Sequence, residues 1–421
     1  MTKKNVPDAT GRTKTGIGRR DFLKTAAAGG ALVAGNFPLV NIARADSNVI
    51  KIGVITTYSG PLAPPGLSMD RGLSLYAKLH AKDLPPGVTV EILRRDDTGP
   101  NPDVAKRLAQ ELVTRDQVNF LAGVVYSPNG FAVASIAAEA KVPFIDMNAA
   151  ASPITRTPYV VRDSFTLWQV AYPMGLWAAK HGMKQAMIAV SDYAPGNDAA
   201  GGFAKGFTEG GGQVLDTIKF PLQNPDFVPF LQRIKDAKPQ ALFIFVPGGP
   251  QSTQMMKAYN DLGLKKAGIT LVTTQDLAMD SELPNMGDAP LGVVNSGTYT
   301  TASARPANLA FLAAWTKEYG DKDIADFPAI QGWDGMAMIY DVIKRTGGKF
   351  NGDQAMAILA AYKTANSPRG SFMIDPATHD IVQNIYIRRV EKRNGKLANI
   401  EFETYPNVKD IWKEMNPPKP Q

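Results

Sequence analysis

Ile50-Lys51-Ile52-Gly53-Val54-Ile55-Thr56-Thr57-Tyr58-Ser59-Gly60-Pro61 decides how this chain folds. Residues 50–57 are mostly β-branched and apolar, the composition of a buried strand, and Tyr58-Ser59-Gly60-Pro61 turns the chain. Residues 66–80 then read as a helix, with Met69, Leu73, Tyr76 and Leu79 on one face. Strand, small-residue loop and one-faced helix are the unit from which helix-covered parallel sheets are built.

The unit recurs almost to the end. Residues 88–93, 118–125 and 142–147 read as strands, and 129–140 as a helix. Asn101-Pro102-Asp103 reads as a helix start: a capping Asn, a Pro at the first position, an acid near the positive end. Val104, Leu108 and Leu112 follow at four-residue spacing. A second round begins near Phe165, with helices over 166–181 and 197–209 and strands over 186–191, 214–220, 241–246 and 269–273. Two further helices are carried by Phe227, Phe230, Leu231 and Ile234, and by Met255, Met256, Tyr259 and Leu262. After a strand over 291–299, long helices are expected at 306–319 and 328–346. Residues 385–391 and 399–405 read as a hairpin turning at Asn394-Gly395. The fold class is α/β, and two doubly wound parallel sheets fit the length better than one.

The first 45 residues read differently. Arg19-Arg20 precedes an apolar, small-residue run over 25–40, and Ala43-Arg44-Ala45 ends it as a small-x-small cleavage signal. The paired arginines resemble the twin-arginine export signal, so cleavage after Ala45 and function in the periplasm are expected. Residues 1–45 carry eight of the 46 Lys/Arg and two of the 39 Asp/Glu, which leaves residues 46–421 near neutral at +1. The basic character is therefore mostly the export signal, and nucleic acid is not an expected partner. No later apolar run is long enough to span a bilayer. The absence of Cys excludes disulfides, thiolate metal sites, a Cys nucleophile and a lipid-modified Cys.

Little in the chain points to catalysis. His80 and His181 fall at helix ends and His379 in a turn, and no pair stands at metal-ligand spacing. No nucleophile elbow or phosphate loop is present, Gly210-Gly211-Gly212 reads as a helix-ending turn, and Asp96-Asp97 reads as a solvated strand end. No metal or cofactor is expected. The loops at the carboxyl ends of the strands stand out instead, because ligands of open α/β sheets bind there. Tyr58-Ser59-Gly60-Pro61, Tyr126-Ser127-Pro128-Asn129-Gly130 and Asn148-Ala149-Ala150-Ala151-Ser152-Pro153 supply one wall of a cleft. Asp192-Tyr193-Ala194-Pro195-Gly196, Pro247-Gly248-Gly249-Pro250 and Gln275-Asp276 supply the other. Small polar residues ahead of a helix expose backbone N–H groups, which suit a carboxylate. Tyr126, Tyr193 and Trp333 are candidates to stack on a ligand.

Several segments, in their order and spacing, resemble the periplasmic solute-binding proteins of the branched-chain amino-acid (Leu/Ile/Val-binding) type. They are Ile52-Gly53-Val54 to Ser59-Gly60-Pro61, Ala122-Gly123-Val124-Val125-Tyr126-Ser127, Val142-Pro143-Phe144-Ile145, Asp192-Tyr193-Ala194-Pro195-Gly196 and Trp333-Asp334. The resemblance runs from about residue 50 to about residue 403. It implies a type I periplasmic binding fold: two α/β lobes joined by three crossing strands and closing over a ligand. Expected boundaries are 46–165 plus 299–368 for one lobe and 166–298 plus 369–412 for the other, with a tail over 413–421. The resemblance implies that Ser127 and groups at Ala149 and Ala151 hold a carboxylate, and that Asp276 holds an ammonium. Three positions depart from the family: Ala151 lacks the expected Thr hydroxyl, Pro195 replaces a Tyr, and Tyr126 replaces a Cys. Family members also bind amides, urea and aromatic acids, and these departures lean toward an aromatic or other non-standard acid. The expected role is solute capture for an ABC-type permease, by a monomer binding at Tyr126, Ser127, Asn148, Ala149, Ala151, Tyr193, Pro195, Gly248, Asp276 and Trp333. A sensor presenting ligand to a membrane receptor shares these features. An exported enzyme is opposed by the missing Cys, the sparse His and the lack of a cofactor motif.

Overall fold

A computed structural model describes residues 49–417, so the expected export signal and the end of the Pro-rich tail lie outside the described residues. The chain begins β1 (Val49–Thr56), α1 (Pro64–Leu79), β2 (Thr89–Asp96), α2 (Pro102–Thr114), β3 (Phe120–Gly123), α3 (Ser127–Ala140), β4 (Phe144–Asp146) and β5 (Val160–Arg162). These strands form a parallel sheet in the order β2-β1-β3-β4-β5. The chain then crosses to a second body: α4 (Leu167–Lys180), β6 (Gln185–Ser191), α5 (Ala194–Glu209), β7 (Gln213–Phe220), α6 (Val228–Ala237), β8 (Ala241–Phe245), α7 (Pro250–Asp261), β9 (Thr270–Thr274) and β10 (Val294–Gly297). Its strands run parallel in the order β10-β9-β8-β6-β7. Helices α8 (Pro306–Tyr319), α9 (Phe327–Thr346) and α10 (Gly352–Ala360) follow, and α9 and α10 pack on the first sheet. A last crossing leads to β11 (Lys363–Thr364), β12 (Phe372–Ile374), β13 (Ile381–Arg393), β14 (Lys396–Val408) and α11 (Ile411–Met415). These four strands are antiparallel and extend the second sheet beyond β10.

Local chemistry accounts for the element ends. Asn101 Oδ1 accepts the Val104 N–H at 3.3 Å, as the cap reading requires. Helix α4 carries a full capping box, Thr166 with Gln169. Helix α5 ends at Gly210, and Gly211 follows with φ +89°. Asn394 and Gly395 both have positive φ, the type I′ geometry that turns β13 into β14. The first core lies between the first sheet and α1 and α9. There a Cβ on Gly72 would stand 1.8 Å from the Ala329 carbonyl oxygen, so α1 and α9 meet backbone to backbone.

Two outcomes differ from the expected boundaries. Lys363–Thr364 joins the larger sheet although residues up to 368 were assigned to the other lobe. The chain is also still anchored at 413: α11 buries Lys413, whose Nζ donates to Asp380 Oδ2, and a buried ammonium beside a buried carboxylate fixes the segment. The short strands β5, β11 and β12 and helix α10 escape a periodicity reading because two to nine residues hold too few turns of the pattern. For α10 a local signal existed, the capping box of Asn351 and Gln354.

Candidate functional site

The carboxyl ends of both sheets open onto one cleft. From the first body come Pro65 of α1, Val125, Tyr126 and Ser127 after β3, Asn148 and Ala150 after β4, Phe165 after β5 and Phe327 of α9. From the second come Leu167 at the start of α4, Tyr193 and Pro195 after β6, Phe245, Pro247 and Gly248 around the end of β8, and Asp276 after β9. Of the expected residues, Tyr126, Ser127, Asn148, Tyr193, Pro195, Gly248 and Asp276 line this cleft. Ala149, Ala151 and Trp333 do not.

Each departure has a packing cause. Ala149 is fully buried in the core under α3, where a Cβ on Gly130 would stand 3.0 Å from its methyl group. The neighbouring Ala150 faces the cleft instead. The Ala151 N–H donates to Ser127 Oγ at 3.1 Å, and its carbonyl accepts Arg162 Nη2 at 2.6 Å, so both backbone groups are engaged within the protein. Trp333 lies further along α9 and meets Tyr76 and Phe311 edge-on at 5.0 and 5.2 Å, a packing residue between helices. The residue of α9 that reaches the cleft is Phe327, at its first position.

Ser127 opens α3 behind the extended backbone of Tyr126. Its hydroxyl oxygen already accepts the Ala151 N–H, so its proton is left to donate. A carboxylate, which only accepts, suits that proton. Tyr126 donates its hydroxyl to the Leu62 carbonyl at 3.1 Å, which pins the ring as a wall. Tyr193 lies parallel to Phe245 at 6.2 Å. Asn148 donates Nδ2 to Gln331 Oε1 at 2.6 Å.

Among the described residues, Asp276 is the one carboxyl lining the cleft, and no Lys, Arg or His lines it. Its Oδ2 accepts the Thr274 hydroxyl at 2.9 Å, while burial pushes its pKa up to about 7. Burial drives the Tyr193 phenol far up as well, and the nearby Asp276 charge adds to it.

The reading of Asp96-Asp97 as a solvated pair is corrected. Asp97 is fully buried and accepts Thr57 Oγ1 at 2.6 Å, Asn129 Nδ2 at 2.8 Å and the Gly99 N–H at 3.2 Å. It ties the ends of β1 and β2 to the first turn of α3, and so holds Ser127 from behind. Burial raises its carboxyl, and these hydrogen bonds oppose the rise. The aromatic walls Phe165, Phe245 and Phe327 were missed, because nothing local separates a cleft Phe from a core Phe. His80 stacks on Tyr76 and His181 on Trp177, both at the ends of their helices as expected.

Residues 49–396 match the family model described as periplasmic binding protein. The chain is 40% identical over 366 residues to a Leu/Ile/Val-binding protein homolog 6 of Brucella melitensis, covering 86% of this chain and 93% of that protein. Among solved structures it is similar to a solute-binding protein of an ABC transporter from Rhodopseudomonas palustris BisB5, in complex with 3,4-dihydroxybenzoic acid. That match has 47% identity and a TM-score of 0.84, and covers 87% of this chain and 100% of the other. A second R. palustris solute-binding protein, in complex with 4-hydroxybenzoate, is 42% identical with a TM-score of 0.83, covering 86% and 98%. A match over most of both chains, on a fold of two parallel-sheet bodies around one cleft, leaves a single assignment: this chain belongs to the periplasmic binding protein family, in its branched-chain (Leu/Ile/Val-binding) type.

Proposed function

We propose that this protein captures a hydroxylated aromatic carboxylate in the periplasm and delivers it, as a monomer, to the membrane subunits of an ABC importer. The observation that carries this reading is the composition of the cleft. Its walls are the rings of Phe165, Phe245, Phe327, Tyr126 and Tyr193 with Pro65, Pro195 and Pro247, which suit a flat apolar body. Its polar groups come from both bodies: Ser127 with a proton to donate, and Asp276 with a carboxyl that can meet a hydroxyl. The 3,4-dihydroxybenzoate and 4-hydroxybenzoate held by the similar R. palustris proteins have that shape and those two ends. An α-amino acid is supported less well: Ala151 lacks a hydroxyl, its N–H is already engaged, and Asp276 would stand alone against the ammonium. The same reading takes the protein as a carrier rather than a catalyst, exported by the twin-arginine route and cleaved after Ala45.

Thermal-shift screening of residues 46–421 tests it. A solute at ~100-fold above its dissociation constant should add about 2.7 kcal/mol to stability. Hydroxybenzoates are expected to raise the melting temperature, and leucine, isoleucine and valine to leave it unchanged. A shift from the branched-chain amino acids with none from the aromatic acids would overturn the reading.

A further inference from the structure

We infer that Asp326 is the latch of the closed lobes, a positioning residue whose carboxylate takes one hydroxyl from each body. Asp326 stands at the N-terminus of α9, immediately before the cleft residue Phe327, and is 2% exposed. Ser68 of α1 donates to its Oδ1 at 2.7 Å. Ser281, in the segment after β9, donates to its Oδ2. Asp326 forms no ion pair among the described residues, so these hydroxyls are the side chains that hold it.

The two serines belong to different bodies. Ser68 moves with Asp326, since α1 and α9 meet backbone to backbone at Gly72 and Ala329. Ser281 is fixed to the second body by both neighbours. Asp280 accepts Asn399 Nδ2 of β14 at 2.7 Å and the Thr301 N–H at 2.8 Å, and Glu282 accepts the Thr253 hydroxyl of α7 at 2.6 Å. The Ser281–Asp326 bond therefore exists only while the lobes are closed. It connects the cleft wall at Phe327 with the segment that carries Asp276, so closing the lobes and aligning these two ligand-facing groups become one event. Opening returns a buried carboxylate and a hydroxyl to water, which makes the bond a term of the closed state alone.

The absence of Cys in the chain allows a direct test. Spin labels at Leu67→Cys on α1 and Lys257→Cys on α7 report the lobe separation, since α7 starts beside Pro65 of α1. The probe is 4-hydroxybenzoate, and its use rests on the aromatic-acid reading above. Ser281→Ala is expected to raise its dissociation rate about tenfold and to return part of the distance distribution to the open value, with the ligand-free melting temperature unchanged. Ser68→Ala, which breaks only the bond within one body, is expected to leave that rate within about twofold. Equal effects of the two serine variants, an unchanged rate in Ser281→Ala, or an equal loss of ligand-free stability would overturn the latch. If 4-hydroxybenzoate fails to bind the unmodified protein, the aromatic-acid reading fails on its own. The latch is then judged on the ligand-free distance distribution, where Ser281→Ala must lower the short-distance population or the inference falls.

Discussion

Ser127 Oγ accepts the Ala151 amide at 3.1 Å, which joins the start of α3 to the loop after β4 and leaves the proton of this cleft-lining serine available to donate. Ser127→Ala removes that donor. The loss of one charge-assisted hydrogen bond should cost about 1.5–3 kcal/mol of binding, a ten- to hundredfold weaker dissociation constant for 4-hydroxybenzoate by calorimetry. Unchanged affinity would place the carboxylate elsewhere.

Asp276 separates the two ligand chemistries. For an aromatic acid, Asp276→Asn keeps a partner for a hydroxyl, and calorimetric affinity should fall severalfold at most. For an amino acid the same change leaves an ammonium unpaired and should abolish tight binding.

Asp276 should also shape stability against pH. Burial lifts its folded pKa from the ordinary 3.8 to about 7. Below both values the group is protonated whether folded or not, and contributes nothing. Between them the unfolded chain ionises while the native carboxyl keeps its proton, so native stability falls as pH rises from about 4 to about 7. Asp276→Asn removes this penalty. The ligand-free variant should melt higher than the parent at pH 8, by an amount equivalent to at most about 4 kcal/mol, and the gap should close toward pH 4. A gap independent of pH would refute the assignment.

Asp97 and Asp96 should differ sharply despite adjacency. Asp97→Ala leaves the buried Thr57, Asn129 and Gly99 donors without their acceptor and should lose about 3 kcal/mol or more in denaturant unfolding. Asp96, half-buried, accepts the Tyr58 and Thr98 N–H groups at 2.9 Å, and its replacement should cost about 1 kcal/mol.

Lobe closure should be visible in solution. Saturation with ligand is expected to reduce the radius of gyration measured by small-angle scattering, because a solute touching both bodies favours the closed state. A proven ligand with an unchanged radius would argue for one rigid body.

Much of the fold was legible because its signals are local. Strand–loop–helix alternation marks a parallel α/β architecture, and Asn101, Gly210-Gly211 and Asn394-Gly395 mark element ends through their own side chains and backbone freedom. Strand ends are local too, and Tyr126, Ser127, Asn148, Tyr193, Pro195, Gly248 and Asp276 are all found at the cleft they were expected to line. Trp333 lies away from the cleft, because α9 turns it toward Tyr76, and an aromatic within a helix carries no local mark of the face it takes.

The alternation, the caps and the loops at the strand ends are written in the order of the residues alone, since each follows from the conformational preferences of neighbours in the chain. Long-range packing sets which of Ala149, Ala150 and Ala151 faces the cleft, that Asp97 is buried, and that Phe165 and Phe327 of one body face the same cleft as Phe245 of the other. It also brought Asp326 onto Ser68 and Ser281, which are far apart in the chain. Some of these relationships arise inside one body, as at Asp97 and at Ser68 with Asp326, and others where the two bodies meet, as at Ser281 with Asp326. Their partners are set by three crossings of the chain and by core packing, and no local periodicity encodes either.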